Sequence, residues 1–346
     1  MALDGISEAT ITTDRISTRI LSCGNGEPVI FIHGNVSTAT FWEETMLALP
    51  ERFRGIAYDQ RGFGGADVSK KIDATRGMGD LSDDLKALMD KLGYEQTHLV
   101  GHSAGGSVLW RFIMDYPEMC KTVTLVDPGS PYGFGGTHGL EGTPNWEDYA
   151  GSGGGTVNPD FVKALASRDD SEDEGSPRWT MRNFYFKPPF IPDRERELLE
   201  SMFETHLGEQ DYPGDMTPST NWPNIAPGKW GLINALSRKY LKDPKHLYDV
   251  EEKPPILWIR GADDQIVSNT SFFDLATLGK LGLVPDYPGE SKMPSQHMVG
   301  QTRAVLEAYQ DAGGSYQELV ISDAGHTPYI EKPDEFNLAL HTFIGA

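Results

Sequence analysis

A chain of 346 residues with a formal net charge of −21 is not expected to bind nucleic acid or an anionic membrane surface, because both would repel it. Its apolar fraction of 38% is typical of a globular protein, and no stretch approaches the roughly 20 apolar residues that cross a bilayer. The segment MALDGISEAT lacks the pattern of a signal peptide and the chain has only 2 cysteines, so we expect a cytoplasmic protein without a disulfide framework.

The first third of the chain alternates strand patterns with helix patterns. ATITTDRISTRILSC alternates with period two, PVIFIHG and RGIAYDQRGFGGAD are apolar runs that lead into glycine loops, and KTVTLVDPG is a further strand pattern. DLSDDLKALMDKLGY has the apolar spacing of an amphipathic helix. This alternation predicts an α/β fold with a mostly parallel, twisted sheet and helices on both faces.

Between residues 131 and 249 the pattern changes. Glycine and proline are dense there, and 4 of the 7 tryptophans (Trp146, Trp179, Trp222 and Trp230) fall within it. A segment of this length is far longer than an ordinary loop. We therefore predict a sheet domain formed by residues 1–130 and 250–346, with residues 131–249, the cap segment, inserted as a lid. The glycine run 151–155 is expected to be either a hinge of that lid or an exposed connector.

After the cap segment the alternation resumes. PPILWIRGADDQIV and YQELVISDAGH read as strands that end in polar loops, and MVGQTRAVLEAYQDAGG and KPDEFNLALHTFIG read as helices. Polar loops at the carboxyl ends of parallel strands are where such sheets assemble functional sites.

Ser103 stands among glycines directly after one of these strand patterns. The stretch LVGHSAGGSVLW, residues 99–110, ends a buried apolar run and opens a segment with helical spacing. A Gly-x-Ser-x-Gly sequence on such a strand-to-helix turn exposes the serine hydroxyl above the sheet, where it serves as a nucleophile. We therefore predict Ser103 as the catalytic nucleophile.

A serine hydroxyl needs a base to accept its proton and an acid to orient that base. His326 follows the last strand pattern on a short loop, and we predict it as the base. Asp264, in the loop after the preceding strand, is the favoured acid, and Asp127, at the end of an earlier strand, is the rival.

Acyl transfer also needs hydrogen-bond donors for the oxyanion. The backbone N–H of Ala104, just after the nucleophile, supplies one. Gly34 lets the chain turn so that the N–H of Asn35 supplies the other. We expect His102, Trp222 and Phe186 to contact the substrate.

Five motifs together resemble the α/β-hydrolase superfamily: HGN at 33–35, DQRGFGGAD at 59–67, GHSAGG at 101–106, GADDQIV at 261–267 and GHTPYIEKPDEF at 325–336. They occur in that family's order of nucleophile, acid and histidine. The resemblance implies the hydrolase fold, Ser103, Asp264 and His326 as the triad, and Asn35 and Ala104 as oxyanion donors. The loop HGNVSTATFW is similar to that of haloalkane dehalogenases, which use an aspartate nucleophile, so Ser103 disfavours dehalogenation and epoxide hydrolysis.

The predicted function is hydrolysis of an ester or lactone with a hydrophobic, bulky aromatic substrate. The serine members of the family also include C–C bond hydrolases and cofactor-free haloperoxidases, which use the same triad, and some members with this fold act as small-molecule receptors. No glycine loop has the spacing of a nucleotide site and no histidine–carboxylate group has metal-ligand spacing, so we expect neither a cofactor nor a metal.

Overall fold

The computed structural model describes residues 2–345 and contains, within them, an eight-stranded sheet. Its strands are β1 (Ser7–Thr12), β2 (Ser17–Cys23), β3 (Glu27–Ile32), β4 (Phe53–Tyr58), β5 (Thr97–His102), β6 (Cys120–Val126), β7 (Ile256–Gly261) and β8 (Tyr316–Ile321). They lie in the order β1-β2-β4-β3-β5-β6-β7-β8. β2 pairs antiparallel with β1 and β4, and every other neighbouring pair is parallel.

The described helices cover the two faces of this sheet, belong to the cap segment or pack against it. They are α1 (Glu43–Leu47), α2 (Gly79–Leu92), α3 (Ala104–Asp115), α4 (Pro159–Ser167), α5 (Pro177–Thr180), α6 (Glu195–Phe203), α7 (Leu232–Ala235), α8 (His246–Asp249), α9 (Leu275–Lys280), α10 (Met298–Asp311), α11 (Pro328–Glu331) and α12 (Pro333–Ile344). A π-helical turn, Met181–Tyr185, continues α5, and short 3₁₀ turns span Ala39–Trp42, Ala74–Arg76, Pro117–Met119 and Gly154–Thr156. No helix within residues 2–345 is long and apolar enough to cross a membrane.

The strand period explains why helices cover both faces. Alternate side chains of a strand point to opposite faces. In β3, Ile30 and Ile32 pack with α2, α3 and α10, whereas Val29 and Phe31 pack with α1 and α12. Because both faces of the central strands are apolar, both must be covered. The predicted fold class is confirmed.

The cap segment contributes no strand to the main sheet in the described part of the chain. Its strands form separate two-stranded pairs, among them Met216–Pro218 with Ile225–Pro227. That residues 131–249 act as a lid over the sheet domain, with these bounds, remains a proposal.

The glycine run is packed rather than exposed. Residues 151–154 are buried, and Gly153 has a φ of +87°. A Cβ on Gly153 would lie 2.4 Å from the Asn234 side-chain oxygen and 2.8 Å from Pro227 Cα. The expectation of an exposed connector is therefore wrong, since the backbone lies too close to its neighbours to leave room for a side chain.

Candidate active site

Ser103 lies at the junction of β5 and α3 in a conformation that few side chains adopt. Its φ is 53° and its ψ is −117°, and its N–H donates a 2.9 Å hydrogen bond to the carbonyl of Val126. A positive φ at a residue other than glycine costs conformational energy and marks functional sites when the surroundings maintain it. The turn places Ser103, half-buried, on the wall of a cavity.

The small residues around Ser103 are required by close backbone contacts. A Cβ on Gly105 would lie 2.4 Å from the carbonyl oxygen of Ile32 and 2.6 Å from that of His33. A Cβ on Gly101 would lie 2.6 Å from the carbonyl oxygen of Gly105. The start of α3 therefore packs directly against the end of β3, and bulk is excluded on both sides of the serine.

His326 and Asp264 form a buried pair at the ends of two neighbouring strands. His326 follows β8 and Asp264 follows β7, and the Nδ1 of His326 donates to the Oδ2 of Asp264 at 2.8 Å. The Oδ1 of Asp264 accepts from the N–H groups of Ile266 (2.7 Å) and Val267 (3.0 Å). Three donors therefore hold this carboxylate in place, and it orients the imidazole.

Asp127 also lies at this site. It follows β6 directly, is 2% exposed, and accepts from the N–H of Gly261 at 3.1 Å. One oxygen each of Asp127 and Asp264 and one nitrogen of His326 lie within 4.8 Å of one another. Asp264, the favoured acid, is hydrogen-bonded to His326. Asp127, the rival, lies close to both residues but makes no hydrogen bond to His326.

His102 supports the histidine loop. Its Nε2 donates to the carbonyl oxygen of His326 at 2.7 Å, and the two rings lie 4.7 Å apart. Complete burial lowers the pKa of His102 well below its ordinary value, with a further contribution from His326, so it is neutral. His102 lines the cavity, as a contact with the substrate requires. Its hydrogen bond, however, is to the carbonyl oxygen of His326.

Two backbone N–H groups are available for an oxyanion. Those of Asn35 and Ala104 donate to no acceptor within residues 2–345, and both residues line the cavity. Ala104 is the first residue of α3, where the N–H groups of a helix point outward without intrahelical partners. Two unpaired N–H groups on the wall of one cavity are what an oxyanion site requires, and their role as its donors remains a prediction.

Tyr185, from the π-helical turn, holds the Asn35 loop. Its hydroxyl donates to the carbonyl of Asn35 at 3.0 Å, and the carbonyl of Val36 lies 3.3 Å away. Val36 has a φ of 46°, which is strained for a β-branched residue. The carbonyl of Tyr185 in turn accepts from the hydroxyl of Thr327 at 2.6 Å, so one residue joins the Asn35 loop to the histidine loop.

Tyr185→Phe is expected to lower kcat by about tenfold and the free energy of unfolding by about 1 kcal/mol, because the Asn35 carbonyl loses its donor and the loop loosens. Steady-state kinetics and thermal unfolding check this. Tyr309→Phe is the control, since its buried hydroxyl also donates to a carbonyl, that of Pro254, away from the cavity. Equal losses of kcat in both variants would contradict the role of Tyr185.

The cavity beside Ser103 has a volume of about 310 Å³ and is predominantly apolar. Among the described residues, no Asp, Glu, Lys or Arg lines it. Its walls come from distant parts of the chain: Phe134, Phe161, Trp179, Phe184, Tyr185, Tyr212, Ile233, Leu236, Ile266, Val267, Phe272, Phe273, Leu275 and Leu278. A cavity of this kind selects ligands by shape and apolar area.

An aromatic cluster stands at the outer side of the cavity. Phe184 contacts Trp179 and Phe273 at ring distances of 5.6 and 5.1 Å. Phe272 and Phe273 are 42% and 38% exposed. Sequence reasoning missed this pair, although two adjacent phenylalanines in a polar loop shortly after Asp264 were a usable signal.

Two expected substrate contacts do not lie at the cavity. Trp222 packs against Tyr287, and its indole N–H donates to the carbonyl of Pro285 at 2.9 Å. Phe186 is 1% exposed and packs against Phe190 in an apolar cluster formed largely by the cap segment itself. The structure corrects both assignments: these aromatic residues form the internal core of their own regions.

One group of side chains in the described chain has ligand atoms that lie close enough to one another to hold a metal ion, namely Asp127, Asp264 and His326. The His326 nitrogen that faces Asp264 is already engaged in the hydrogen bond to that carboxylate. A cation bound between these two residues would have to displace the bond that orients the imidazole.

The comparisons with known proteins concern the family and the fold. The family model described as the alpha/beta hydrolase fold matches residues 27–278. The chain is 33% identical over 122 residues to epoxide hydrolase 2 of Siraitia grosvenorii, covering 35% of this chain and 38% of that protein. It is 36% identical over 119 residues to 2-hydroxy-6-oxo-6-phenylhexa-2,4-dienoate hydrolase of Comamonas testosteroni, covering 33% of this chain and 40% of that protein.

Among solved structures, carboxylesterase CesB of Bacillus subtilis superposes with a TM-score of 0.59 at 16% identity, covering 98% of this chain and 91% of that one. This likeness concerns the fold. The family model spans most of the chain, and the chain belongs to the α/β-hydrolase family.

Proposed function

We propose that this protein is a serine hydrolase that cleaves an uncharged carboxylic ester or lactone with a bulky apolar substrate, through an acyl-enzyme. The observation that carries the proposal is that Ser103, His326 and two N–H groups without an acceptor in residues 2–345 line one cavity, to which no described residue contributes a charged side chain.

In this mechanism the hydroxyl oxygen of Ser103 attacks the substrate carbonyl while His326 accepts its proton through Nε2, because Nδ1–H is bonded to Asp264. The negative charge on the carbonyl oxygen is stabilised by the N–H groups of Asn35 and Ala104. The acyl C–O bond breaks and His326 protonates the alkoxide, which departs as the alcohol when the substrate is an ester and stays on the acyl chain as a hydroxyl group when it is a lactone. A water molecule, deprotonated by His326, hydrolyses the acyl-enzyme and restores Ser103.

The uncharged cavity argues against anionic substrates. The Comamonas relative is named for a dienoate, which carries a carboxylate, and burying a carboxylate without a cationic partner is unfavourable. Lys187, in the loop that precedes α6, is paired with Asp263 and Asp323 and does not line the cavity. An acid substrate would therefore meet no compensating charge.

The serine argues against the epoxide chemistry named for the Siraitia relative. Attack of a serine oxygen on an epoxide carbon would give an ether, which this machinery has no means of hydrolysing. The enzyme would stop after one event. Attack on a carbonyl gives an ester, which water cleaves with the same base and the same oxyanion donors.

Cleavage of a C–C bond beside a carbonyl group is the second candidate, because the Comamonas relative is named as a hydrolase of an oxo-phenyl-dienoate and the same residues would serve. An uncharged diketone would fit the cavity. Peroxide-dependent halogenation and binding without turnover are further alternatives that substrate assays separate.

Matched pairs of substrates test the proposal. We expect kcat/KM for a neutral bulky aryl ester or lactone to exceed that for the same compound bearing a carboxylate on its acyl group by about 100-fold or more, since the buried charge costs several kcal/mol. The panel includes uncharged diketones and a halogenation assay. Turnover confined to diketones would replace the ester assignment, and stoichiometric labelling by a fluorophosphonate with no turnover of any substrate would favour a receptor.

A further inference from the structure

Two carboxyl groups lie beside His326, although a catalytic triad needs only one. Asp127 is 2% and Asp264 is 8% exposed, and their nearest oxygens lie within 4.8 Å. Two buried negative charges at this separation repel each other strongly in a medium of low dielectric constant. One of the two carboxyls is therefore expected to keep a proton.

The hydrogen bonds decide which one. Asp264 accepts three hydrogen bonds, from His326 and from two backbone N–H groups, and each favours its ionised form. Asp127 accepts from a single donor, the N–H of Gly261, which both of its oxygens share. The negative charge is thus better stabilised on Asp264.

Within residues 2–345, no Lys or Arg side chain faces Asp127 to hold it ionised. The titratable groups that face it are Asp264, His326, Glu331 and Tyr329. Glu331 accepts from the N–H groups of Lys187 and Gly325 through its two oxygens. Burial, the charge of Asp264 and a hydrogen bond with Asp264 raise the pKa of Asp127 well above its ordinary value.

We propose that Asp127 is a positioning residue that carries a proton, donates it in a hydrogen bond to Asp264, and becomes a substitute acid for His326 when Asp264 loses its charge. The proton moves only between carboxyl oxygens and solvent, and the pair holds one negative charge throughout. The kinetic part of this inference rests on the proposed serine-hydrolase function, whereas the protonation of Asp127 does not.

The protonation is tested by comparing the stability of the wild type with that of Asp127→Asn across about pH 5 to 8. Asparagine can donate the same hydrogen bond but does not titrate. Because the pKa of Asp127 is higher in the folded chain than in the unfolded one, the folding constant of the wild type should fall relative to that of the variant by up to about tenfold per pH unit as the pH rises.

A ratio of folding constants that is flat over this range would overturn the inference, because it would mean that Asp127 is ionised in the folded protein. NMR of the wild type with ¹³C-labelled aspartate is a second measurement, in which the Asp127 signal is assigned by its loss in Asp127→Asn and is thereby separated from that of Asp274, whose pKa burial raises to about 6. We expect the carboxyl carbon of Asp127 to keep the chemical shift of the protonated form at neutral pH, and ionisation of this carboxyl would refute the proposal.

The substitute role is tested by a double-mutant cycle. Asp127→Asn alone should lower kcat by less than about tenfold and Asp264→Asn by about 30-fold, whereas the double variant should lose about 10³- to 10⁴-fold. Asp73→Asn in the Asp264→Asn background is the control, because Asp73 accepts from the N–H of Thr75 outside the site. Purely multiplicative effects of Asp127→Asn and Asp264→Asn would refute the substitute role.

Failure of this inference can be told apart from failure of the proposed function. If Ser103→Ala keeps its activity, the serine mechanism is wrong, and the pH dependence of stability still reports the proton on Asp127. If Ser103→Ala is inactive and the cycle is multiplicative, the mechanism stands and Asp127 has no substitute role.

Discussion

Ser103→Ala is expected to lower kcat/KM for an ester by about 10⁴- to 10⁶-fold and to abolish labelling by a fluorophosphonate. The hydroxyl is the atom that would form the covalent bond, so no neighbouring group can replace it. The remaining rate would come from substrate binding and from the N–H groups of Asn35 and Ala104. Single-turnover kinetics on purified variant and wild type, with the thermal transition of each, provide the measurement.

The fold should survive this change. Alanine occupies the same φ and ψ with a Cβ of the same kind, and the Ser103 side chain makes no capping hydrogen bond to α3 that the change would remove. Ser82→Ala is the matched control, because Ser82 is buried on α2 and its hydroxyl lacks a hydrogen-bond partner among the described residues. Retention of more than about a tenth of the wild-type rate by Ser103→Ala would exclude Ser103 as the nucleophile.

Gly105→Ala is expected to lower the free energy of unfolding by at least about 3 kcal/mol. The added Cβ would lie 2.4 Å from a backbone carbonyl oxygen of β3, and backbone cannot rotate away as a side-chain tip can. Moving α3 outward would relieve the contact and displace Ser103 from the Asn35 loop. Denaturant unfolding measures the loss, and activity of any folded fraction measures the displacement.

Gly300→Ala provides the comparison for Gly105→Ala. Gly300 is also helical, in α10, but the nearest atom to its added Cβ is the side-chain tip of Leu140 at 3.1 Å. Since alanine favours the helix by up to about 1 kcal/mol, this variant should be as stable as the wild type or more so. Similar destabilisation of both variants would show that close packing at the serine turn is not the cause.

The sequence alone was sufficient for the fold class and for the placement of Ser103, Asp264 and His326 in loops at strand ends. The strands of such a sheet are apolar on both faces and appear as short continuous runs, and the loops after them carry the polar residues. Parallel connectivity then brings the carboxyl ends of β5, β7 and β8 to one edge. The roles of the three residues remain proposals that the predicted variants test.

The tertiary structure alone decided which aromatic residues line the cavity and how the two carboxyls are arranged. Trp222 and Phe186 carry the same sequence signal as Trp179 and Phe184, because an aromatic residue of a core and one of a cavity wall are equally apolar. Likewise, the loops after β6 and β7 each offer an aspartate. Only the pairing of those two strands brings both to His326, and only the local N–H groups determine which one orients it.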